Sequence, residues 1–101
     1  MSGSEGRVLG VDYGEARVGL ALSDETRRLA SPLPPLRRRR GKRPPVQALA
    51  DLLQAEGAVA VVMGLPLELS GEEGPWATEV RQVAEALARR AGVPVHFVDE
   101  R

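Results

Sequence analysis

The sequence predicts an α/β domain built on one mixed five-stranded sheet, and three observations carry that expectation. Residues 8–24, VLGVDYGEARVGLALSD, read as a β-hairpin. Residues 58–63, AVAVVM, read as a strand covered on both faces. A long amphipathic helix separates that strand from a last one at residues 93–98, VPVHFV. The hairpin is antiparallel by its short turn, whereas strands separated by helices pair in parallel through crossovers.

Taken in order, Val8, Leu9 and Val11 make the first strand apolar, and Asp12 sits where it runs out. After a tight turn holding Gly14, Val18, Leu20 and Leu22 alternate with Arg17, Gly19, Ala21 and Ser23, the period of a half-buried strand. Residues 27–36, RRLASPLPPL, give a third extended stretch, and Pro32, Pro34 and Pro35 confine it to a sheet edge. Arg37, Arg38, Arg39, Arg40, Lys42 and Arg43 then crowd into one run, which mutual repulsion makes an exposed, mobile loop. Pro44 and Pro45 suit a helix start, and Val46, Leu49, Ala50 and Leu53 recur at helical spacing up to Gly57, so a helix is expected over 45–56.

The apolar strand at 58–63 ends in Gly64-Leu65-Pro66, and residues 67–74 form a loop in which Ser70 and Glu73 have capping-box spacing. Trp76, Val80, Val83, Ala84, Leu87 and Ala91 form the stripe of the second helix, with Arg89 and Arg90 in its last turn and Gly92 as its stop. Placing each crossover strand beside its predecessor gives the spatial order 3-2-1-4-5, with only strand 2 antiparallel.

Composition bounds the function classes. The chain has 101 residues, enough for one domain, and its core must come from Val, Leu and Ala because aromatics are 3%. A formal net charge of zero excludes nucleic-acid binding by bulk charge. The absence of cysteine excludes disulfides and thiolate metal sites and fits a cytoplasmic protein. No apolar run approaches the roughly 20 residues of a membrane span, so no membrane association is expected. Residues 1–6, MSGSEG, read as a flexible leader, leaving 7–101 as the domain.

Strands 1, 4 and 5 are parallel in this topology, so their C-terminal ends share one sheet edge, where open α/β sheets bind ligands. That edge receives Asp12, Gly64 and the pair Asp99-Glu100. The backbones carrying Asp12 and Asp99 are then two strand spacings apart, roughly 10 Å. Both carboxylates can lean over Gly64, whose missing side chain leaves the way clear. Two oxygen ligands so placed suit Mg²⁺ or Mn²⁺, and such ions support phosphodiester hydrolysis. Each residue also has a plainer reading. Asp12 can cap a turn, Arg17 can pair with Glu15 or Asp24, and the cationic run can be a solvated loop. Tyr13, Trp76 and His96 read as packing residues, and Glu68, Glu72 and Glu73 as helix-start charges.

Three blocks in order, LGVDYG…RVGLALSD, VVMGLPLELSGEEG and FVDER, resemble the YqgF/RuvX family across residues 7–101. The resemblance implies a ribonuclease H-like fold related to Holliday-junction resolvases and a nuclease that matures the 5′ end of 16S ribosomal RNA. RNA is then favoured over DNA, with ribosome precursors as partners and a homodimer as an option taken from the resolvases. Asp12 and Asp99 match acidic active-site positions, with Glu100 a third candidate. Arg17, Arg37, Arg38, Arg39, Arg40, Lys42 and Arg43 become candidate phosphate contacts. Family members continue past the DER block into a helix bearing a further acid, so a C-terminally truncated domain with one metal ligand missing is expected here. Three rivals remain at this point. They are a Holliday-junction DNA endonuclease, a non-catalytic RNA-binding module using the arginine run, and an actin-like ATP-binding domain, whose phosphate hairpin also carries Asp and Gly.

Overall fold

The computed structural model describes residues 6–38 and 43–100. The elements are β1 (Arg7–Tyr13), β2 (Arg17–Ser23), β3 (Ala30–Arg37), α1 (Val46–Glu56), β4 (Ala58–Pro66), α2 (Pro75–Ala91) and β5 (Val95–Glu100). They form a sheet of order β3-β2-β1-β4-β5, with β2 antiparallel to both neighbours and the β1–β4 and β4–β5 pairs parallel. This is the expected topology.

The boundaries depart from expectation where local polar chemistry intervenes. β3 begins at Ala30, because the residues before it are consumed by a turn around Asp24. The Asp24 carboxylate accepts from the Arg28 amide at 3.0 Å and from the Thr26 hydroxyl at 3.0 Å, and Arg27 takes a positive φ of 60°. Desolvation pushes the Asp24 carboxyl up, but these donors together hold it below the ordinary carboxylate range. Further along β3, Pro34 and Pro35 stand against Gly19, where the register shifts between Val18 and Leu20. A bulge on an edge strand is where proline's missing donor costs least.

β4 runs three residues beyond the expected Met63 and pairs as far as Pro66 with Glu100. α1 closes at Gly57 and α2 at Gly92, both left-handed with φ of 66° and 70°. The expected capping box does not start α2. Gly74 precedes its first residue, Pro75, with no side-chain cap, and the Ser70 hydroxyl instead accepts the Glu72 amide within the loop. Glu73 pairs with Arg81 through two contacts of 2.7 Å, tying that loop to the helix.

Strand alternation divides the sheet into two unlike faces. Leu9, Val18, Val61 and Met63 are fully buried and meet Leu49 of α1 and Val80 and Leu87 of α2 in one cluster. The alternate positions face away from both helices. There Asp12, His96 and Glu100 are exposed and Val98 is 51% exposed. His96 is thus not the packing residue expected from its mid-strand position. It lines an open groove of about 590 Å³ with Val8, Ala60, Val62 and Pro94. No helix among the described residues is long and apolar enough to cross a membrane.

Candidate active site

The alternation that buries Val11 and Tyr13 turns Asp12 out onto the helix-free face. Its antiparallel partner is Gly19. On the other side Val11 stands level with Met63, so Asp12 and Gly64 follow on adjacent parallel strands. Asp12 therefore has a glycine on each flank, and its carboxylate borders a trough instead of side chains.

Glu100 enters this trough from β5. A Cβ placed on Gly64 would fall on the Glu100 carboxylate, with Cγ of Glu100 3.2 Å away. Glu100 thus leans back from its register position beside Pro66 and covers Gly64 of β4. Its backbone is fixed there, since the Leu67 amide donates to the Glu100 carbonyl at 2.6 Å. Asp99 is placed differently. It pairs with Leu65, which is 3% exposed on the helix-bearing face, and paired residues of a parallel ladder share a face. The expectation from strand ends joined Asp12 with Asp99, whereas the register puts Glu100 on the face of Asp12 and Asp99 on the opposite one. The reason is parity, because neighbouring residues of a strand point to opposite sides. Counting two residues at a time from Phe97, which packs on the core, would have put Asp99 on the core side.

The donor set fits a hard divalent cation in part. Mg²⁺ is commonly held by one or two carboxylates, completed by water and substrate phosphate. Asp12 and Glu100 supply that number. Among the described residues, no group of three or more His, Cys, Asp or Glu comes together to form a full protein cage.

The candidate cations separate into distinct environments. Arg17 and Arg37 are direct cross-strand partners, both exposed. Since Val18 and Leu36 face the core, Arg17 and Arg37 share the face of Asp12. Arg38 turns the other way, and its side chain is 12% exposed. Its guanidinium lies 4.4 Å from the Tyr13 ring centre and 5.9 Å from that of Trp76. It donates to the Gly14 carbonyl at 2.9 Å and pairs with Glu79 at 3.5 Å. Arg38, expected among the phosphate contacts, instead packs on the fold through Gly14, Glu79 and the two rings. Arg43 is exposed, while Arg39, Arg40 and Lys42 lie outside the described residues.

Tyr13 packs as expected, with Trp76 stacked on it at 5.7 Å. Burial pushes its hydroxyl above the usual range, with Arg38 opposing the shift. Gly14 is required at the turn, since a Cβ there would stand 2.8 Å from the Arg17 carbonyl oxygen.

The sequence matches the family profile described as "RuvX: Holliday junction resolvase" over residues 6–101. Among similar proteins are three provisionally named pre-16S rRNA nucleases. One from Roseiflexus sp. (strain RS-1) is 43% identical over 101 residues, covering 100% of this chain and 71% of the relative. One from Acidiphilium cryptum (strain JF-5) is 44% identical, covering 94% of this chain and 60% of the relative. One from Mycobacterium sp. (strain KMS) is 47% identical, covering 95% and 57%. The chain therefore spans between 57% and 71% of the length of these relatives.

Among solved structures, Thermus thermophilus RuvC in complex with a Holliday junction substrate aligns with a TM-score of 0.66 at 19% identity, covering 92% of this chain and 64% of that one. Archaeoglobus fulgidus Pelota aligns at 0.58 and 12% identity, covering 95% and 27%. At these identities the likeness establishes the shared fold and nothing finer. Family membership rests on the sequence match, and by that match the chain belongs to the RuvX family.

Proposed function

We propose that the trough bounded by Asp12 and Glu100 is the metal-binding part of a nuclease site acting on precursor 16S ribosomal RNA in the cytoplasm. One observation carries the reading. The Glu100 carboxylate of β5 lies over Gly64 of β4, and Asp12 stands on the adjoining strand β1 on the same face, with its carboxylate beside Gly19. The names of the relatives support RNA as the substrate, and the cation is Mg²⁺ or Mn²⁺ by the oxygen-only donor set.

When bound, such an ion supplies an activated water and stabilises the departing oxygen of a phosphodiester. The residues of this chain have other tasks. Asp12 and Glu100 bring two carboxylates to one face of the sheet, and the flanking glycines admit a phosphate close to the backbone. With a bound ion to activate water, the reaction needs no nucleophile from the protein.

Cleavage of a precursor RNA carrying the 16S 5′ extension, with Mg²⁺ present, tests this assignment. Asp12→Asn and Glu100→Gln should each slow it about 100-fold or more, since even outer-shell changes at metal sites cost roughly 10- to 100-fold. Asp99→Asn should stay within a few-fold of the parent. An Asp12→Asn protein that cleaves as well as its parent would falsify the reading. A four-way DNA junction in the same assay separates RNA processing from junction resolution. RNA binding that survives loss of Asp12 without any cleavage by the parent would leave a non-catalytic binding module.

A further inference from the structure

Arg17 and Arg37 stand opposite each other as the last pair of the β2–β3 ladder, on the face that carries Asp12. Like charges directly opposite in an antiparallel pair destabilise it. Among the described residues neither guanidinium has an ion pair or hydrogen bond, although Arg7, Arg38 and Arg81 all find carboxylates. The two arginines line one open, mostly polar groove of about 420 Å³ with Ala16, Pro35, Leu36 and Arg38.

The groove is held in shape from beneath. The Arg38 amide donates to the Ala16 carbonyl at 2.9 Å, and its guanidinium donates to the Gly14 carbonyl at 2.9 Å. The turn between Asp12 and Arg17 is thereby pinned to the end of β3. Along β2, Arg17 lies two residues from Gly19, the partner of Asp12, a rise of roughly 7 Å. A cation pair without a carboxylate partner among the described residues, two residues along the sheet from the partner of a candidate metal carboxylate, suits a phosphate.

We infer that Arg17 and Arg37 form a two-pronged clamp for one backbone phosphate of a nucleic-acid strand, next to the phosphate in the Asp12–Glu100 trough. Arginine suits this task because its planar fork binds phosphate oxygens in pairs. The clamp sets the path of the strand, which crosses the helix-free face from the β2–β3 edge over β1 toward β5. Arg38 is excluded from it and acts as its support. The inference rests on the nuclease reading for its location but not for its test.

The test uses this chain with a fluorescent single-stranded RNA oligonucleotide and a salt titration. Each phosphate contact contributes about 0.7 to the slope of log affinity against log salt for single strands. Arg17→Gln and Arg37→Gln should each weaken binding, and the double variant should lower that slope by about 0.7, the share of the one phosphate they hold. Arg89→Gln, exposed at the far end of α2, should leave it unchanged. Neutral methylphosphonates placed one at a time in the RNA should then expose a single sensitive phosphate, whose penalty vanishes in the double variant.

Equal slopes in parent and double variant, an equal fall in Arg89→Gln, or no RNA binding by the parent at low salt each overturn the clamp. Asp12→Asn separates the two readings, because it should abolish Mn²⁺ binding while keeping the salt slope and the methylphosphonate pattern. A clamp that behaves as stated in a chain that takes no Mn²⁺ refutes the metal site alone. Mn²⁺ binding with a silent clamp refutes the clamp alone.

Discussion

Adding one methyl group at Gly64 should disable the trough while leaving the domain intact. The Cβ of Gly64→Ala would occupy the space of the Glu100 carboxylate, and Glu100 is an exposed, flexible side chain that can swing away. Replacing glycine within a strand also reduces the freedom of the unfolded chain, worth about 0.4–1 kcal/mol where the backbone permits it. Thermal stability should therefore hold or rise slightly, while Mn²⁺ affinity, followed by paramagnetic broadening at the amides of Asp12 and Gly19, should fall about 10-fold. If Gly64→Ala binds Mn²⁺ like the parent, Glu100 does not act over Gly64 and the trough is misassigned. At this scale the sequence was half legible. Asp12 stood out as an acid ending an apolar run, and Gly64 as a gap between strands. The choice between Asp99 and Glu100 was not visible in strand ends alone, because it depends on which parity of β5 faces the core.

Between elements, Arg38 connects three pieces of the chain. It joins the β1–β2 turn through Gly14, the end of β3 by its own backbone, and α2 through Glu79 and Trp76. A charged hydrogen bond contributes about 1.5–3 kcal/mol and a partly desolvated cation–π contact about 0.5–2. Because these energies overlap in one side chain, Arg38→Ala should cost about 2 kcal/mol, seen as a lower denaturation midpoint at unchanged slope. The Gly14 amide, which donates to the Arg17 carbonyl at 3.0 Å, should exchange faster with solvent. Arg38→Lys should recover less than half, since a point charge neither stacks nor forks. An Arg38→Ala protein as stable as its parent would place this cation back among the free ones of the run. Helices, hairpin and strand order were all legible, since hydrophobic period and turn residues speak for each element separately. Arg38 was hidden because four identical residues in a row, Arg37 to Arg40, carry no mark of which one turns inward. Only the alternation inherited from Leu36, together with aromatic partners from β1 and α2, selects it.

At the scale of the whole molecule, both helices pack on one side of the sheet, and stability should be as one-sided as burial. Leu87 of α2 is fully buried against the face that carries Leu9 and Met63. Truncating such a residue loses its transfer energy and leaves a cavity, so Leu87→Ala should cost about 2–5 kcal/mol. For a domain of this size that lowers the melting temperature by roughly 4–8 °C per kcal/mol. Val98 lies on the opposite face and is 51% exposed, so Val98→Thr exchanges a methyl for a hydroxyl that stays in water. Its cost should remain within about 0.5 kcal/mol. The pair of melting curves measures whether the helix-free face is open in solution. If Val98→Thr proves as costly as a core truncation, that face is covered in the folded chain, and the path assigned to a nucleic-acid strand across Asp12 and Gly64 is closed. If only Leu87→Ala is costly, the sheet presents its acidic trough and its paired arginines on a surface that owes nothing to the core. The residues of that surface can then be varied for binding without unfolding the domain.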